Sequence, residues 1–291
     1  MAEFLINDND LTGLKGKSVI VTGGSSGIGL ATIELLLSLG ARVINADLQE
    51  PATKPESSNG GEYAFVKTNV TIWAELVAMF KRAKELYGRI DSVFANAGLG
   101  PRADFLSMDV DENGDLKEPN YDVIDVSLKG LMNTGTLALY YLRQQAEGGS
   151  IVLNGSTCGL QRLRAVDYST AKHGATGFGR SLTTLTKAAQ LPIRVNTLAP
   201  TWTDSSVLPN LKGMMEKIGV EIQPASAVAR AAALLMADTS RHGNLLHVAC
   251  GKYKEIDDAV LLPAFETIKG SYPAEDDVLE RLLAVMAGGQ A

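Results

Sequence analysis

The chain has 291 residues, of which 45% are hydrophobic and 21% are charged, and its formal net charge is -6. This length fits one large α/β domain, and the apolar fraction is sufficient for a large core. The acidic balance argues against nucleic acid or an anionic membrane as the main partner.

Strand and helix patterns alternate along the chain. Residues 18–21 form a β-prone run before a glycine turn, and residues 28–39 have helical apolar spacing that ends at Gly40, a predicted C-cap. Further strands are predicted at residues 43–46, 63–67, 91–95, 151–153, 193–198 and 245–249, and a second helix at about residues 72–87, closed by Gly88. The pattern predicts an α/β fold, a single Rossmann-type doubly wound parallel sheet of about seven strands with helices on both faces.

Two polar segments interrupt this pattern. Residues 49–61 are rich in Pro, Ser and Gly, and residues 98–119 carry four Asp and two Glu, so both are predicted to be surface loops. No internal repeat and no linker divides the chain. We therefore expect one domain over residues 1–291.

The two cysteines, Cys158 and Cys250, do not suggest a disulfide-stabilised secreted scaffold and fit a reducing compartment. The three histidines are scattered, without the Cys/His spacing of a metal site. Residues 1–10 lack the pattern of a signal peptide, and no uncharged apolar stretch reaches the roughly 18 residues of a membrane span. We expect a cytoplasmic protein with no bound metal and no membrane partner.

The segment Thr22-Gly-Gly-Ser-Ser-Gly-Ile-Gly29 lies between the first strand and the first helix. Its glycines at 23, 27 and 29 allow a tight turn, close approach of the backbone to a pyrophosphate, and close packing of helix on strand. The helix N-terminus adds N–H groups and the positive end of the helix dipole. We interpret the segment as a dinucleotide-binding turn; the alternative is a purely structural turn.

Asp47 ends the second predicted strand. A carboxylate there accepts hydrogen bonds from the adenosine ribose hydroxyls and repels the extra phosphate of NADP. The glycine turn contains no Arg or Lys to compensate, and Arg42 precedes the strand. The sequence therefore favours NAD over NADP, with an exposed turn aspartate as the alternative.

Tyr168-Ser-Thr-Ala-Lys172 places a phenol and an ammonium four residues apart, on one face of a helix. An ammonium stabilises phenolate, so we expect Lys172 to lower the pKa of Tyr168 from about 10 and to make the phenol an acid or base for an alcohol or carbonyl. Ser156 follows the fifth strand, where a hydroxyl reaches the ligand crevice and can hold the substrate oxygen. The alternatives are a helix-surface pair and a turn serine that bonds its own backbone.

With Asn96-Ala-Gly98 and Arg194-Val-Asn-Thr-Leu-Ala-Pro200 in the same order, the chain resembles the short-chain dehydrogenase/reductase family over nearly its whole length. It is most similar to NAD-dependent secondary-alcohol dehydrogenases of the 15-hydroxyprostaglandin dehydrogenase type and their fungal relatives. The resemblance implies hydride transfer between NAD(H) and a secondary alcohol or ketone. It implies that Ser156 orients the substrate, that Tyr168 is the acid/base, and that Lys172 binds the nicotinamide ribose and tunes the tyrosine.

The resemblance also implies a set of cofactor contacts. Asn69-Val70 stands where the family often has Asp-Val against the adenine amino group, and an amide can still bond there. The turn at Asn96 supports the sheet and contacts the adenosine ribose, while the segment after Leu198 holds the carboxamide and opens the substrate lid. The expected cofactor-binding residues are Gly23, Ser25, Ser26, Gly27, Ile28, Gly29, Asp47, Asn69, Val70, Asn96, Ala97, Gly98, Tyr168, Lys172, Pro200 and Thr203.

Two positions depart from the family pattern. Ser127 stands where an asparagine usually completes the catalytic tetrad, and we expect its backbone carbonyl to keep the proton relay active. Thr201 follows Pro200 where glycine is usual, so its side chain can alter lid motion. These departures motivate one alternative, an NAD(H)-binding scaffold, sensor or non-redox enzyme with this fold. The other alternative is an NADP-dependent ketoreductase.

Residues 201–219 are the predicted lid over the substrate. Its apolar side chains suit a bulky hydrophobic substrate, or pack the lid helix down; they are Trp202, Val207, Leu208, Leu211, Met214 and Met215. Arg162 and Arg164 lie near the expected pocket mouth and either meet a carboxylate or phenolate of the substrate or are solvated.

By resemblance, the helices around residues 120–146 and 166–190 pair across a two-fold axis, which implies a homodimer or homotetramer. The helix predicted at residues 274–287 has apolar residues suited to a partner or to covering the pocket.

Overall fold

A computed structural model describes residues 3–205 and 210–288 of the chain. Its strands are β1 (Ser18–Thr22), β2 (Arg42–Asp47), β3 (Glu62–Lys67), β4 (Ser92–Ala95), β5 (Gly149–Asn154), β6 (Ile193–Pro200), β7 (Thr203–Asp204), β8 (Gln223–Pro224), β9 (Leu245–Ala249) and β10 (Lys252–Glu255). Its α-helices are α1 (Gly27–Ser38), α2 (Trp73–Tyr87), α3 (Asp122–Ile124), α4 (Leu131–Leu142), α5 (Val166–Ala188), α6 (Leu211–Lys217), α7 (Ala225–Ala237), α8 (Leu262–Lys269) and α9 (Glu275–Gly288). Two 3₁₀ turns (Asp8–Leu11 and Thr157–Gly159) and two π turns (Asp125–Gly130 and Asp257–Leu261) complete the described elements.

In the described part of the chain, the main sheet has eight strands in the order β10-β9-β6-β5-β4-β1-β2-β3. Seven of them are parallel, and β10 is antiparallel to β9. The predicted doubly wound sheet is confirmed, with one strand more than expected. The sequence KYKE of β10 holds one apolar residue, Tyr253, so its pattern alone did not indicate a strand. A tight turn at Cys250 and Gly251, both with positive φ, brings it back along β9.

Apolar side chains fill both faces of the sheet, which explains why its central strands contain few exposed positions. All residues of β1 and β4 are buried. One core cluster joins the sheet to α1 and α7, for example through Leu36 and Leu235. A second cluster joins the other face to α2, α4 and α5, for example through Phe80 and Leu182. Helices therefore cover the sheet on both sides, as predicted.

Glycines mark the helix ends close to where the sequence indicates them. Gly88 closes α2 with φ 73°, and its N–H donates to the Lys84 carbonyl. The C-cap of α1 is Leu39, and Gly40, with φ 79°, follows it by one residue. Residues 49–61 are irregular, and so are residues 98–119 except for one bridge between Val110 and Leu116. Both predicted surface loops are confirmed.

The carboxyl ends of the parallel strands share one edge of the sheet, and the sequence motifs lie there. β1 leads into the glycine turn, β2 ends at Asp47, β4 leads to Asn96, β5 leads to Ser156, and β6 ends at Pro200. In the described residues, no helix is long and apolar enough to cross a membrane. The same residues contain no cluster of three or more His, Cys, Asp or Glu side chains able to hold a metal ion.

Candidate active site

The turn after β4 fixes the turn after β1 through the side chain of Asn96. Its Nδ2 donates to the carbonyl oxygens of Thr22 and Gly23, each at 3.0 Å. The backbone N–H groups of Asn96 and Ala97 donate to Thr22 Oγ1 at 3.0 and 3.2 Å. The shape of the glycine turn therefore depends on a residue more than seventy positions away in the chain.

Two glycines of the turn have no room for a side chain. A Cβ on Gly29 would overlap the Gly23 carbonyl oxygen and lie 2.7 Å from Asn96 Nδ2. A Cβ on Gly23, whose φ is 66°, would lie 2.7 Å from the Ala97 Cα. The start of α1, with Ser26 as N-cap and Gly27, Ile28 and Gly29 in its first turn, therefore packs tightly on β1. First-turn N–H groups have no partner within their helix and form an anion site, so this cradle fits a pyrophosphate.

Asp47 faces the glycine turn from the end of β2. Its Oδ2 accepts the Ser25 N–H at 3.0 Å, and its Oδ1 accepts the Leu48 N–H at 2.6 Å. Arg42 begins the same strand, and its guanidinium donates to the Gly16 and Tyr87 carbonyls at the opposite edge of the sheet. Arg42 is therefore too remote to neutralise an additional phosphate beside Asp47.

Asn69 and Val70 precede α2. Asn69 Oδ1 already accepts the Thr71 N–H at 3.0 Å and the Thr71 hydroxyl at 2.9 Å, while the Asn69 N–H donates to Glu75 at 2.7 Å. The oxygen expected to meet an adenine amino group is thus engaged in a local turn. Val70 is buried against the π turn at Asp125–Gly130. A Cβ added to Gly130 would lie 2.7 Å from Val70 Cγ2. Val70 therefore supports the wall behind the site.

Ser156, Tyr168 and Lys172 come together at the carboxyl edge of the sheet. Tyr168 and Lys172 lie one turn apart on α5, with Lys172 Nζ 5.6 Å from the centre of the tyrosine ring. The Ser156 hydroxyl is hydrogen-bonded to the Tyr168 side chain and also accepts the Cys158 N–H at 3.1 Å. Lys172 is 4% exposed, and its Nζ donates to the Asn154 carbonyl at 2.8 Å. The three side chains that the sequence singled out therefore form one cluster.

The protonation of this cluster differs from the sequence prediction. Burial and, to a smaller extent, the nearby Cys158 raise the pKa of Tyr168 to about 12, and the hydrogen bond to Ser156 opposes the rise. Burial lowers the pKa of Lys172 to about 8. The expectation that the lysine lowers the tyrosine pKa is wrong for the chain by itself. The reason is that desolvation favours the neutral form of each group, and Lys172 donates to a backbone carbonyl.

Ser127 lies in the π turn between α3 and α4 and is fully buried. Its Oγ accepts the Leu99 N–H at 2.9 Å. Gly98, the residue before Leu99, lies close to both Ser127 and Lys172. A Cβ added to Gly98 would lie 3.3 Å from Ser127 Oγ and 3.8 Å from Lys172 Nζ. Ser127 therefore holds the chain that follows Gly98 against the buried lysine, and its hydroxyl has a partner of its own.

The base of the lid is tied to β9. Thr201 N–H and Oγ1 donate to the Val248 carbonyl at 2.9 and 3.1 Å, so the side chain that replaces the usual glycine has a structural contact. Gln223, 1% exposed, donates through Nε2 to Thr201 Oγ1, Thr203 Oγ1 and the Val248 carbonyl. The Pro200 carbonyl accepts the Thr157 hydroxyl at 3.3 Å, which links β6 to the turn that carries Ser156.

The side chains of the lid divide into two groups. Leu211 and Met215 of α6 are buried, whereas Trp202 and Met214 are about half exposed. Val207 and Leu208 lie outside the described residues. Some apolar side chains of the predicted lid are therefore packed against the fold, and others are exposed. Arg162 and Arg164 are exposed on the segment before α5.

Sequence reasoning missed the role of Asp167. This buried carboxylate accepts the N–H groups of Arg102 at 2.8 Å, Ala103 at 3.0 Å and Tyr168 at 2.7 Å. Burial raises its pKa, but the backbone hydrogen bonds outweigh that effect, so the pKa lies below its ordinary value. Asp167 joins the loop at residues 98–119 to the start of α5. Its only sequence signal was its position directly before Tyr168.

A model of the short chain dehydrogenase family matches residues 17–216. The short-chain dehydrogenase/reductase ascJ of Acremonium egyptiacum is 48% identical to this chain over 292 residues, covering 98% of this chain and 97% of that protein. The 5'-hydroxyaverantin dehydrogenase of Dothistroma septosporum is 31% identical, with 84% and 88% covered.

Solved structures share the fold. The aldohexose dehydrogenase of Thermoplasma acidophilum superposes with a TM-score of 0.68 at 25% identity, covering 82% of this chain and 94% of that one. Levodione reductase superposes with a TM-score of 0.67 at 23% identity, covering 81% and 97%.

Proposed function

The chain belongs to the short-chain dehydrogenase/reductase family, whose members are oxidoreductases that act on alcohol or ketone groups with a nicotinamide cofactor, and we propose that it transfers a hydride between NAD(H) and a secondary alcohol or ketone. The observation that carries this proposal is the cluster of Ser156, Tyr168 and Lys172 at the same sheet edge as the glycine turn. A bulky hydrophobic metabolite is the proposed substrate. The half-exposed Trp202 and Met214 of the proposed lid support it, and so does the similarity to 5'-hydroxyaverantin dehydrogenase.

The proton chemistry follows from the positions of the side chains. The Ser156 hydroxyl donates a hydrogen bond to the substrate oxygen and holds it beside the Tyr168 phenol. In reduction the phenol gives its proton to the carbonyl oxygen; in oxidation the phenolate takes the proton of the alcohol. Because its pKa is about 12, Tyr168 of the chain by itself is in the protonated form that reduction requires. The bound nicotinamide supplies the carbon that gives or accepts the hydride and, when oxidised, a positive charge.

Catalysis in this scheme depends on Lys172 and Ser127 as well. Lys172 would bind the nicotinamide ribose, and its buried position beside the tyrosine ring lets its charge act on the phenol with little screening. Ser127 would serve the proton relay by holding the segment after Gly98 next to the lysine. The remaining proposed cofactor contacts are the glycine turn, Asp47, Asn69-Val70, Asn96-Ala-Gly98, Pro200 and Thr203.

A single nicotinamide-binding domain over residues 1–291 with a lid at about 201–219 completes the proposal, together with a cytoplasmic location and a homodimer or homotetramer. Exposed apolar side chains on α4 and α5 support an assembly through these helices. They include Met132, Tyr140, Val166 and Leu185.

The test of this function is a panel of secondary alcohols and ketones, from small aliphatic to polycyclic, assayed by formation or consumption of NADH. We expect turnover with bulky apolar members of the panel. Binding of NAD(H) with no turnover on any member would favour the alternative of a scaffold, sensor or non-redox enzyme, which the departures at Ser127 and Thr201 motivate.

The choice of NAD over NADP is expected to depend on Asp47. Hydrogen bonds to a charged group contribute about 1.5–3 kcal/mol, so Asp47→Ala should weaken NAD binding by roughly 10- to 100-fold and NADP binding much less. The measurement is the dissociation constant of each cofactor for both proteins. Glu50→Gln is the matched control, since it removes the same charge three residues later and should leave the preference intact. Tighter binding of NADP than NAD by the unmodified protein would instead support the ketoreductase alternative.

A further inference from the structure

A continuous series of hydrogen bonds links the glycine turn to the buried lysine. Asn96 Nδ2 donates to the Gly23 carbonyl at 3.0 Å, and Asn96 Oδ1 accepts Asn154 Nδ2 at 2.9 Å. The backbone carbonyl of the same Asn154 accepts Lys172 Nζ at 2.8 Å. Asn154 thus contacts Asn96, which holds the glycine turn, with its side chain, and contacts Lys172 with its main-chain carbonyl.

Asn154 is well placed to hold this geometry. It is the last residue of β5, it is 7% exposed, and it pairs with Leu198 of the neighbouring strand β6. The next residue, Gly155, leaves the strand, and its N–H donates to the Leu153 carbonyl at 3.2 Å. The side-chain bond to Asn96 adds an attachment toward β4. Together with the pairing to β6, these contacts hold the Asn154 carbonyl where it meets the lysine.

The direction of that carbonyl matters because Lys172 is buried. A buried ammonium loses hydration, so its protonated form depends on oriented dipoles around it. In the described part of the chain, burial lowers the pKa of Lys172 and Cys158, from the turn after β5, opposes this effect, while the Tyr168 ring lies 5.6 Å from Lys172 Nζ. A change in the Asn154 carbonyl would therefore alter the charge of Lys172 and, through it, the phenol of Tyr168.

We propose that Asn154 is a positioning residue that couples the glycine turn to Lys172, so that the conformation of the glycine turn affects the proton-transferring pair, Tyr168 and Lys172. This inference rests on the proposed function for its catalytic consequence. Its physical basis, the path from Gly23 through Asn96 and Asn154 to Lys172, is a property of the chain itself. A displacement of the glycine turn would reach the lysine along this path.

The test uses two substitutions with opposite expected effects on the full-length protein without cofactor. Asn154→Leu removes the attachment to Asn96 and should lower the pKa of Lys172 by about one unit, while Asn154→Asp places a carboxylate nearby and should raise it by a similar amount. The measurement is a ¹³C NMR titration of the lysine side chains, with the Lys172 signal assigned by its loss in Lys172→Arg. If Asn154→Leu fails to fold, Asn154→Ser removes the same amide with less change in shape.

The matched control is Asn196→Leu. Asn196 is a buried asparagine in the adjacent strand β6, and its side chain is likewise hydrogen-bonded, to the Arg241 carbonyl and from the Asn244 N–H. It should lose thermal stability as Asn154→Leu does, but leave the pKa of Lys172 unchanged. An unchanged Lys172 pKa in both the Asn154→Leu (or Asn154→Ser) and the Asn154→Asp proteins would contradict the positioning role and leave Asn154 a structural residue.

Catalytic measurements separate this inference from the proposed function. On any alcohol that the parent protein oxidises, Asn154→Leu should shift the midpoint of the pH profile of kcat/KM in the direction opposite to Asn154→Asp. Failure to find any oxidised alcohol would contradict the proposed function but would not affect the NMR titration. Opposite shifts in that titration without any turnover would retain the coupling and remove only its catalytic consequence.

Discussion

Tyr168→Phe is expected to reduce turnover of secondary alcohols by about 10²- to 10⁴-fold, the range contributed by a positioned general acid or base. Phenylalanine keeps the ring that lies beside Lys172 but removes the oxygen that exchanges a proton with the substrate. The substitution also frees the Ser156 hydroxyl from its bond to the phenol. Affinity for NAD should fall much less than turnover, because Tyr168 is one of many proposed cofactor contacts and the glycine turn and Asp47 are untouched.

The measurement is kcat and kcat/KM on a substrate from the alcohol panel, with the NAD dissociation constant determined in parallel. Tyr141→Phe is the matched control: Tyr141 is a partly buried tyrosine on α4, stacked on Phe80 with ring centres 5.2 Å apart, away from the cluster. It should retain nearly full activity. Near-full activity of Tyr168→Phe would remove Tyr168 from the proposed chemistry.

Gly29→Ala is expected to abolish dinucleotide binding and to destabilise the protein. Alanine is the better helix former by about 1 kcal/mol, so propensity alone predicts a gain. The structure reverses that sign, because the added Cβ would overlap the Gly23 carbonyl oxygen and press on Asn96 Nδ2. Either α1 moves away from β1 or the turn deforms, and overpacking of this kind costs about 1–3 kcal/mol. Both responses displace the N–H groups that would meet the pyrophosphate.

Gly177→Ala provides the comparison for that prediction. Gly177 lies in α5, is exposed, and has no atom within 4 Å of the position of an added Cβ. This substitution should stabilise the protein by up to about 1 kcal/mol and leave NAD binding unchanged. The measurements are the thermal unfolding temperature and the NAD dissociation constant of both variants. Normal NAD affinity in Gly29→Ala would show that the turn is not the pyrophosphate site.

Features with a local signature were predictable from the sequence. Each parallel strand is a short apolar run, and glycines or polar residues mark where it ends, so the sheet and its carboxyl edge follow from pattern alone. The glycine turn, Asp47, Ser156 and the pair at Tyr168 and Lys172 were located by their positions relative to those strands. The strand β10 was missed because an alternating edge strand with one apolar residue has almost no such signature.

Features that depend on contacts distant in sequence were not predictable. Asp167 reaches back more than sixty residues to Arg102, and Asn154 reaches nearly as far to Asn96. A spacing of four residues places Tyr168 and Lys172 on one helix face, but it does not show what the ammonium donates to or how deeply it is buried. The pKa of Tyr168 rises mainly because the phenol itself is buried, and residue spacing does not show that burial either.

The central claim is that the chain moves a hydride between a secondary alcohol and NAD. The most direct measurement uses an alcohol from the panel that carries deuterium on its carbinol carbon, with mass spectrometry of the NADH produced. The account predicts one deuterium in each NADH formed, and loss of that transfer in Tyr168→Phe. Tight binding of NAD without deuterium transfer from any alcohol of the panel would contradict it.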